Sequence, residues 1–314
     1  MERIRKYCPY QSIFKLNNYQ NLMLLGILYA ILSAVVFAIS NVIMKHMTFK
    51  INKLSLMIIR SMFTLITIIP LLFFADFILP SFKESIIIVA IGLIGAVAYY
   101  YFIKAIELSN VSVISTITRT STIITILLSI FFLDEKLNIL QYIAILCVLF
   151  GIIFLTIDIR KLKSEQLLQE KKALFISLFV TFLWGIMYFL MKYSVNAVGS
   201  IYTAFYLEFF VFFFIALLLF KKNNLILFKQ SLVTVLNQKK LLIIIFFIGL
   251  LTTLGSLFYS FAISLIYVSI AITLINMAPL VTAIVARIFI NERLSTKQVI
   301  GIIITIVGVI IISL

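Results

Sequence analysis

From residue 22 onward the chain is a succession of long apolar runs separated by short polar stretches. A helix needs about 20 mostly apolar residues to cross a bilayer. Ten runs meet that requirement, near residues 22–44, 54–75, 86–106, 110–133, 139–157, 173–192, 201–220, 241–263, 267–290 and 297–314. Apolar residues are continuous within each run and do not alternate. The pattern therefore predicts membrane-spanning helices and excludes the strands of a membrane barrel.

Polar residues gather in three places. Residues 1–21 form a basic tail with Arg3, Arg5, Lys6 and Lys15, and the run that follows is long enough to span, so it does not read as a cleaved leader. Residues 158–172 form a charged linker containing Asp158, Arg160, Lys161, Lys163, Glu165, Glu170, Lys171 and Lys172. Residues 221–240 read as a polar connection carrying Lys221, Lys222, Lys229, Lys239 and Lys240. The charged linker falls at the midpoint and divides the chain into a repeat over 22–157 and a repeat over 173–314.

The two halves are copies. A shift of 157 lays Gly92-Leu93 on Gly249-Leu250, Ala105-Ile106 on Ala262-Ile263, Val111-Ser112 on Val268-Ser269, Thr116 on Thr273 and Thr125 on Thr282. The same shift lays Phe132 on Phe289, Glu135 on Glu292, Leu137 on Leu294, Gln141 on Gln298 and Gly151 on Gly308. Near the start of each half a shift of 147 lays Met44-Lys45 on Met191-Lys192, the longer 221–240 connection accounting for the change. Five spans per half is an odd number, so the second half enters the membrane from the opposite side. The fold read from this pattern is an all-α integral membrane protein of ten transmembrane helices in two inverted five-helix repeats. Such repeats open a central site alternately to each side, which is a transporter architecture.

Composition agrees. Hydrophobic residues make up 64% and charged residues 12%, with mean hydropathy +1.22, against roughly 45–50% and 25% in soluble domains. That excludes a soluble enzyme, a disulfide scaffold and a disordered binder. The net charge of +15 comes from 26 Lys and Arg against 11 Asp and Glu, but the basic residues are scattered between apolar runs, so nucleic acid is not an expected partner. The face bearing the N-terminus collects seven Lys and Arg, the opposite face sixteen, and Arg60, Arg119 and Arg287 lie inside spans. By the positive-inside rule this distribution favours both termini outside.

Rare residues exclude more chemistry. His46, between Lys45 and Lys50, reads as interfacial, and Cys8 and Cys147 suggest no disulfide. Metal, haem and iron–sulfur sites need more ligands than this. The chain has no His-Glu-x-x-His and no Walker loop. No cofactor and no catalytic residue is expected, so the chain does not read as an enzyme. Asn110-Val111-Ser112 matches a glycosylation acceptor but lies too close to the membrane to serve as one.

Around the last two spans stand Pro279-Leu280-Val281, Phe289-Ile290-Asn291-Glu292-Arg293-Leu294, Gln298, Ile300-Gly301 and Gly308-Val309. This pattern resembles the EamA-type family of the drug/metabolite transporter superfamily. There a proline-kinked helix ends in a Gly-Glu-Arg-like turn and is followed by a helix with Gln and spaced glycines. The first half carries the pattern as Asp134-Glu135-Lys136-Leu137, Gln141 and Gly151. Two departures stand out. Thr122 occupies the place of the proline common in the fourth helix, and Asp134 and Asn291 replace the usual glycine. The resemblance implies membrane transport, both termini inside, and a substrate path lined by helices one, three, four, six, eight and nine.

Ionisable groups at membrane depth are the sharpest candidates, because each costs about 2.5–3.5 kcal/mol at a helix centre. Arg119 lies mid-run among Thr116, Thr118, Thr120, Ser121 and Thr122. Two partners are open to it: an internal pair with Glu208, the deep carboxylate, or the carboxylate of a substrate. Glu208 is also the candidate for proton coupling, while Arg60 and Arg287 read as packing or interfacial residues. Residues on the axis between the halves should occur as counterparts, which selects Arg119 with Asn276, Asn41 with Tyr188 and Phe37 with Trp184. Phe37 and Asn41, like Trp184 and Tyr188, are four apart and share a helix face. The family's path adds Tyr100 and Tyr259. Pro279, mid-span, reads as a helix kink with Pro70 as a lesser one, and Glu135 and Glu292 read as capping residues for the helices that follow them. Ala30, Ala34 and Ala38 form a packing stripe, as do Gly301, Thr305 and Gly308.

These features predict a secondary active or facilitative transporter of a small metabolite, an amino acid or other carboxylate-bearing compound, working by alternating access. The alternatives are a nucleotide-sugar or lipid-linked phosphate carrier, which calls for more than one cavity arginine, and a non-transporting membrane scaffold. Partners are the metabolite, the lipid bilayer and a proton, for a monomer or homodimer. The richness in Ile, Lys, Asn and Phe points to an AT-rich genome and a bacterial cytoplasmic membrane.

Overall fold

The computed structural model describes residues 17–47, 50–108, 114, 117–156, 167–278, 280–281 and 296–313, and every regular element among them is a helix. The first half holds α1 (Asn17–Met47), α2 (Lys53–Ile68), α3 (Phe82–Leu108), α4 (Ser121–Leu133) and α5 (Ile139–Thr156). The second holds α6 (Leu167–Ala216), α7 (Lys222–Asn237), α8 (Lys239–Leu265), α9 (Val268–Ile275) and α10 (Thr296–Ser313). Among the described residues five stretches are long and apolar enough to cross a membrane: Asn21–Asn41, Lys53–Phe74, Phe82–Ala105, Lys171–Phe220 and Lys239–Leu265. Ile117–Leu133, Ile139–Ile152 and Val299–Ile311 are shorter apolar helices. The chain is thus a multi-pass integral membrane protein.

Two elements differ from the pattern read in the sequence. The runs 173–192 and 201–220 join in α6, whose 50 residues are interrupted at Gly199 (φ 78°, ψ 172°). That backbone combination is open to glycine alone. A helix of this length would reach about 75 Å, far beyond a bilayer of about 30 Å, so the break divides α6 into a first arm over 167–198 and a second over 200–216. The second correction concerns 221–240, which is not an extended connection. Its residues 222–237 form α7. Leu225, Phe228, Leu232 and Val235 recur at helical spacing and neither Pro nor Gly interrupts them. Val235 is fully buried, with Phe228 and Leu232 packed in the same cluster, so α7 lies against the bundle as an amphipathic helix.

Much of the helix packing repeats when the halves are exchanged, although the contact of α6 with α8 has no equivalent between α3 and α1 or α2 among the described residues. α3 packs on α6 as α1 and α2 pack on α8, α4 on α6 as α9 on α1, while α2–α6, α4–α9 and α5–α10 are pairs of counterparts. The close approaches repeat as well. A Cβ on Gly92 would stand 2.1 Å from Cβ of Phe210, and one on its counterpart Gly249 would stand 2.7 Å from Cβ of Phe63. Gly151 faces Thr305 and the Gly301 carbonyl, as Gly308 faces Val148 and the Ala144 carbonyl. Small residues at these crossings let the backbones meet. The Ala30, Ala34 and Ala38 stripe is buried in one cluster with Tyr259, Ala262 and Ile266, and Ser33 Oγ fixes α1 to α8 by donating to the Gly255 carbonyl at 2.8 Å.

Both central helices are interrupted, at matching levels. The turn at Thr120 precedes α4, and turns at Asn276 and Met277 follow α9. In the first half threonine hydroxyls compete for the backbone: Thr120 Oγ1 donates to the Ile117 carbonyl at 2.6 Å and Thr122 Oγ1 to the Arg119 carbonyl at 3.0 Å. In the second half the turn stands just ahead of Pro279, a residue without an N–H to extend a helix and itself outside the described residues.

Candidate functional site

The two breaks bring Arg119 and Asn276 together between the halves. Arg119 Nη1 donates to Asn276 Oδ1 at 2.9 Å, and Asn276 Nδ2 donates to Thr122 Oγ1 at 2.5 Å and to the Arg119 carbonyl at 3.4 Å. Asn276 is only 2% exposed, while Arg119 keeps part of its surface accessible. Among the described residues no carboxylate pairs with Arg119.

Aromatic rings adjoin the pair. Tyr188 interacts electrostatically with Arg119 and packs edge-on against Tyr259, ring centroids 5.4 Å apart. Tyr259 is 2% exposed, and its hydroxyl has no hydrogen-bond partner among the described residues. One turn away from Tyr188, Trp184 tilts against Phe102 at 5.0 Å. Phe37, the counterpart of Trp184, lays its ring on Gly255. Five of the expected binding residues therefore fall in one neighbourhood: Arg119, Asn276, Tyr188, Tyr259 and Trp184. Two do not join them by any contact. Tyr100 is 41% exposed and packs on Tyr101, and Asn41 is exposed on α1.

Glu135 departs from its expected role. The helix after it, α5, is served at its start by a box in which Gln141 N–H donates to Asn138 Oδ1 at 2.8 Å and Asn138 N–H to Gln141 Oε1 at 3.0 Å. Glu135 instead reaches the other half. Its carboxylate accepts from Val268 N–H at 2.6 Å, Ser269 N–H at 3.2 Å and Ser269 Oγ at 2.5 Å, capping α9. The chain can aim it there because Asp134 adopts a left-handed conformation (φ 52°, ψ 34°) that ends α4. Asp and Asn tolerate this geometry better than other side chains, which accounts for an aspartate where the resembled family has glycine. Lys192, at the end of the apolar run 173–192, is half-buried here. It interacts with Glu135 and donates to the Ile263 carbonyl. Its only sequence signal was the match of Met44-Lys45 with Met191-Lys192.

The deep carboxylate has a different partner from the one expected. Glu208 Oε2 lies 3.8 Å from Arg60 Nη2, so the deep carboxylate is paired with Arg60 and not with Arg119. Ser256 Oγ donates to Glu208 Oε1 at 2.7 Å, and the Arg60 guanidinium lies over the Tyr99 ring, 5.1 Å from its centroid. Glu292, Arg287 and Pro279 fall outside the described residues. Among the described residues no group of three or more His, Cys, Asp or Glu could hold a metal ion.

Comparison with known proteins adds the following. The model of the EamA-like transporter family matches residues 24–157 and 171–314. A search of curated proteins finds no match. A crystal structure of a protein matches with TM-score 0.70 at 13% identity, covering 93% of this chain and 96% of that one. At that identity the likeness bears on the fold alone.

Proposed function

Because the chain belongs to the EamA-like transporter family, whose model covers both of its halves, we propose that it moves a small carboxylate-bearing metabolite, such as an amino acid, by alternating access. In this reading ten crossings form two inverted halves: α1 to α5, then the two arms of α6 with α8, α9 and α10. The observation that carries it is the Arg119–Asn276 bond at the level where both central helices break. A guanidinium with no carboxylate partner among the described residues, partly accessible beside Tyr188 and Trp184, offers a fork for one carboxylate. Broken helices around a midplane site are the usual way transporters expose backbone groups to substrate.

A carrier of phosphate-bearing substrates is less well supported, since Arg60 is already matched to Glu208. We place the protein in a bacterial cytoplasmic membrane. The reading is tested by reconstituting the full chain in liposomes and measuring counterflow across a metabolite panel. Carboxylate compounds should exchange, their exchange should drop sharply in Arg119→Ala, and Arg119→Lys should restore part of it. Counterflow of a carboxylate metabolite that survives Arg119→Ala unchanged would remove the clamp.

A further inference from the structure

A second charged cluster lies away from Arg119, where α2 crosses the second arm of α6. Glu208 is 5% exposed, yet among the described residues its Oε2 has no hydrogen-bond partner and neither has Arg60 Nε. The 3.8 Å between Arg60 Nη2 and Oε2 makes an ion pair but not a hydrogen bond. A pair kept only to hold a fold is expected to close to hydrogen-bond distance and satisfy its remaining lone pairs and protons, because each unmet group loses hydration without return. This one stays open, with the free carboxylate oxygen turned toward the guanidinium.

We propose that Glu208 is the proton-binding site that drives transport, with Arg60 as its counter-charge. The inference rests on the transporter reading above and names its coupling ion. A proton adds to Oε2 as a new O–H bond, is drawn from water on one side of the membrane and returns to water on the other, and nothing is oxidised or reduced. Charged and titratable groups facing Glu208 among the described residues are Arg60 from α2 and Tyr99 from α3, while α8 contributes the hydroxyl of Ser256. Arg60 has somewhere to rest when Glu208 is neutral. Its guanidinium already lies over the Tyr99 ring, and Nη2 donates to Ser61 Oγ at 3.4 Å. Among the described side chains here one carboxylate and one hydroxyl are too few oxygens for a metal cation, and the adjacent guanidinium repels one, which favours a proton as the ligand. Arg60 belongs to the first half and Glu208 to the second, so neutralising Glu208 loosens a tie between the halves. That is how proton binding biases the exchange of conformations.

Two measurements on the full chain test this. Infrared difference spectra of the purified protein on acidification should show a protonated-carboxyl band. The band should vanish in Glu208→Gln and change frequency in Ser256→Ala, which removes the donor to Oε1. In sodium-free liposomes an inward-acid gradient of one pH unit should concentrate a counterflow-active metabolite about tenfold at one proton per substrate, and Glu208→Gln should lose that concentration. A band that persists in Glu208→Gln and ignores Ser256→Ala, or accumulation that a pH gradient does not drive in the unaltered protein, overturns the proposal. Counterflow absent for every metabolite would instead overturn the transporter reading, with the band still deciding whether Glu208 binds the proton.

Discussion

Arg119 and Asn276 are hydrogen-bonded at 2.9 Å and stand 157 positions apart, which is the offset that lays the first half on the second. Each is thus bonded to its own counterpart, and a residue can meet its counterpart only at the axis relating the halves. Asn276→Asp keeps the shape and puts a carboxylate against Arg119. The expected outcome is an internal ion pair that shuts out the carboxylate of a substrate. Hydrogen bonds to charged groups contribute about 1.5–3 kcal/mol, so affinity should fall by roughly 10–100-fold. Asn276→Ala leaves the guanidinium unpaired and should weaken transport less. Apparent KM from counterflow separates the two, and an Asn276→Asp protein as active as the parent would count against the clamp.

Glu135 and α9 make the next test. Three donors of α9 converge on one buried carboxylate from the turn after α4, and the contact joins the first half to the second. Removing a side-chain cap costs about 0.5–2 kcal/mol. Glu135→Ala should therefore lower Tm in detergent by several degrees, and Glu135→Gln, which keeps one accepting oxygen, should lower it less. Equal Tm values for all three proteins would show that the cap carries little of the connection between the halves.

What the pattern of residues discloses, and what it hides, follows from how each feature is encoded. Apolar run length and the fixed offset disclose the apolar helices, the two halves and the matching of Arg119 with Asn276 as counterparts, because these are periodic properties of the chain, but the hydrogen bond between the two is not among the partners the sequence offers to Arg119. Arg60 does not pair with Glu208 by that rule, since a shift of 147 lays it on Leu207, so their contact stays hidden. The partner of Glu135 lies 133 positions away in the other half. Repetition marks the residue as important without saying what it touches. Spacing puts Asn41 on a face shared with Phe37, but which neighbour covers that face is decided by packing, and Asn41 proves exposed. α7 hides because its lysines mask an apolar stripe whose cover, the α2–α8 cluster, is remote in sequence.

Gly92 and Gly249 give a prediction about the symmetry itself. Each admits the backbone region of a phenylalanine, Phe210 or Phe63, at a distance where a Cβ cannot fit. Overpacking of this kind costs about 1–3 kcal/mol. Gly92→Ala and Gly249→Ala should each lower Tm and slow exchange. Because the obstruction at Gly92 begins at the Cβ of Phe210, Phe210→Ala should not rescue Gly92→Ala, whereas Phe210→Gly should. Rescue by Phe210→Ala would mean that the helices separate easily and that the crossing is not fixed by the glycine.

The last prediction concerns α7 and the lysines around it. Lys221, Lys222, Lys229, Lys239 and Lys240 are all exposed, and no Asp or Glu occurs between Glu208 and Glu292 to balance them. Leu225, Ile226, Leu227, Val233 and Leu236 are exposed on the same helix, a combination suited to the boundary between acyl chains and charged headgroups. Each lysine near an anionic surface contributes about 1 kcal/mol. Anionic phospholipid added to the detergent-solubilised protein should therefore raise Tm, and zwitterionic phospholipid should raise it less. Replacing Lys221, Lys222, Lys239 and Lys240 by Gln should remove most of the difference between the two lipids while leaving Tm in detergent alone nearly unchanged, because none of the four side chains is buried. High salt should reproduce the effect of the substitutions, since screening acts on exposed charges within about 10 Å at 0.1 M. A lipid preference that survives both the substitutions and the salt would place the anionic contact elsewhere on the bundle.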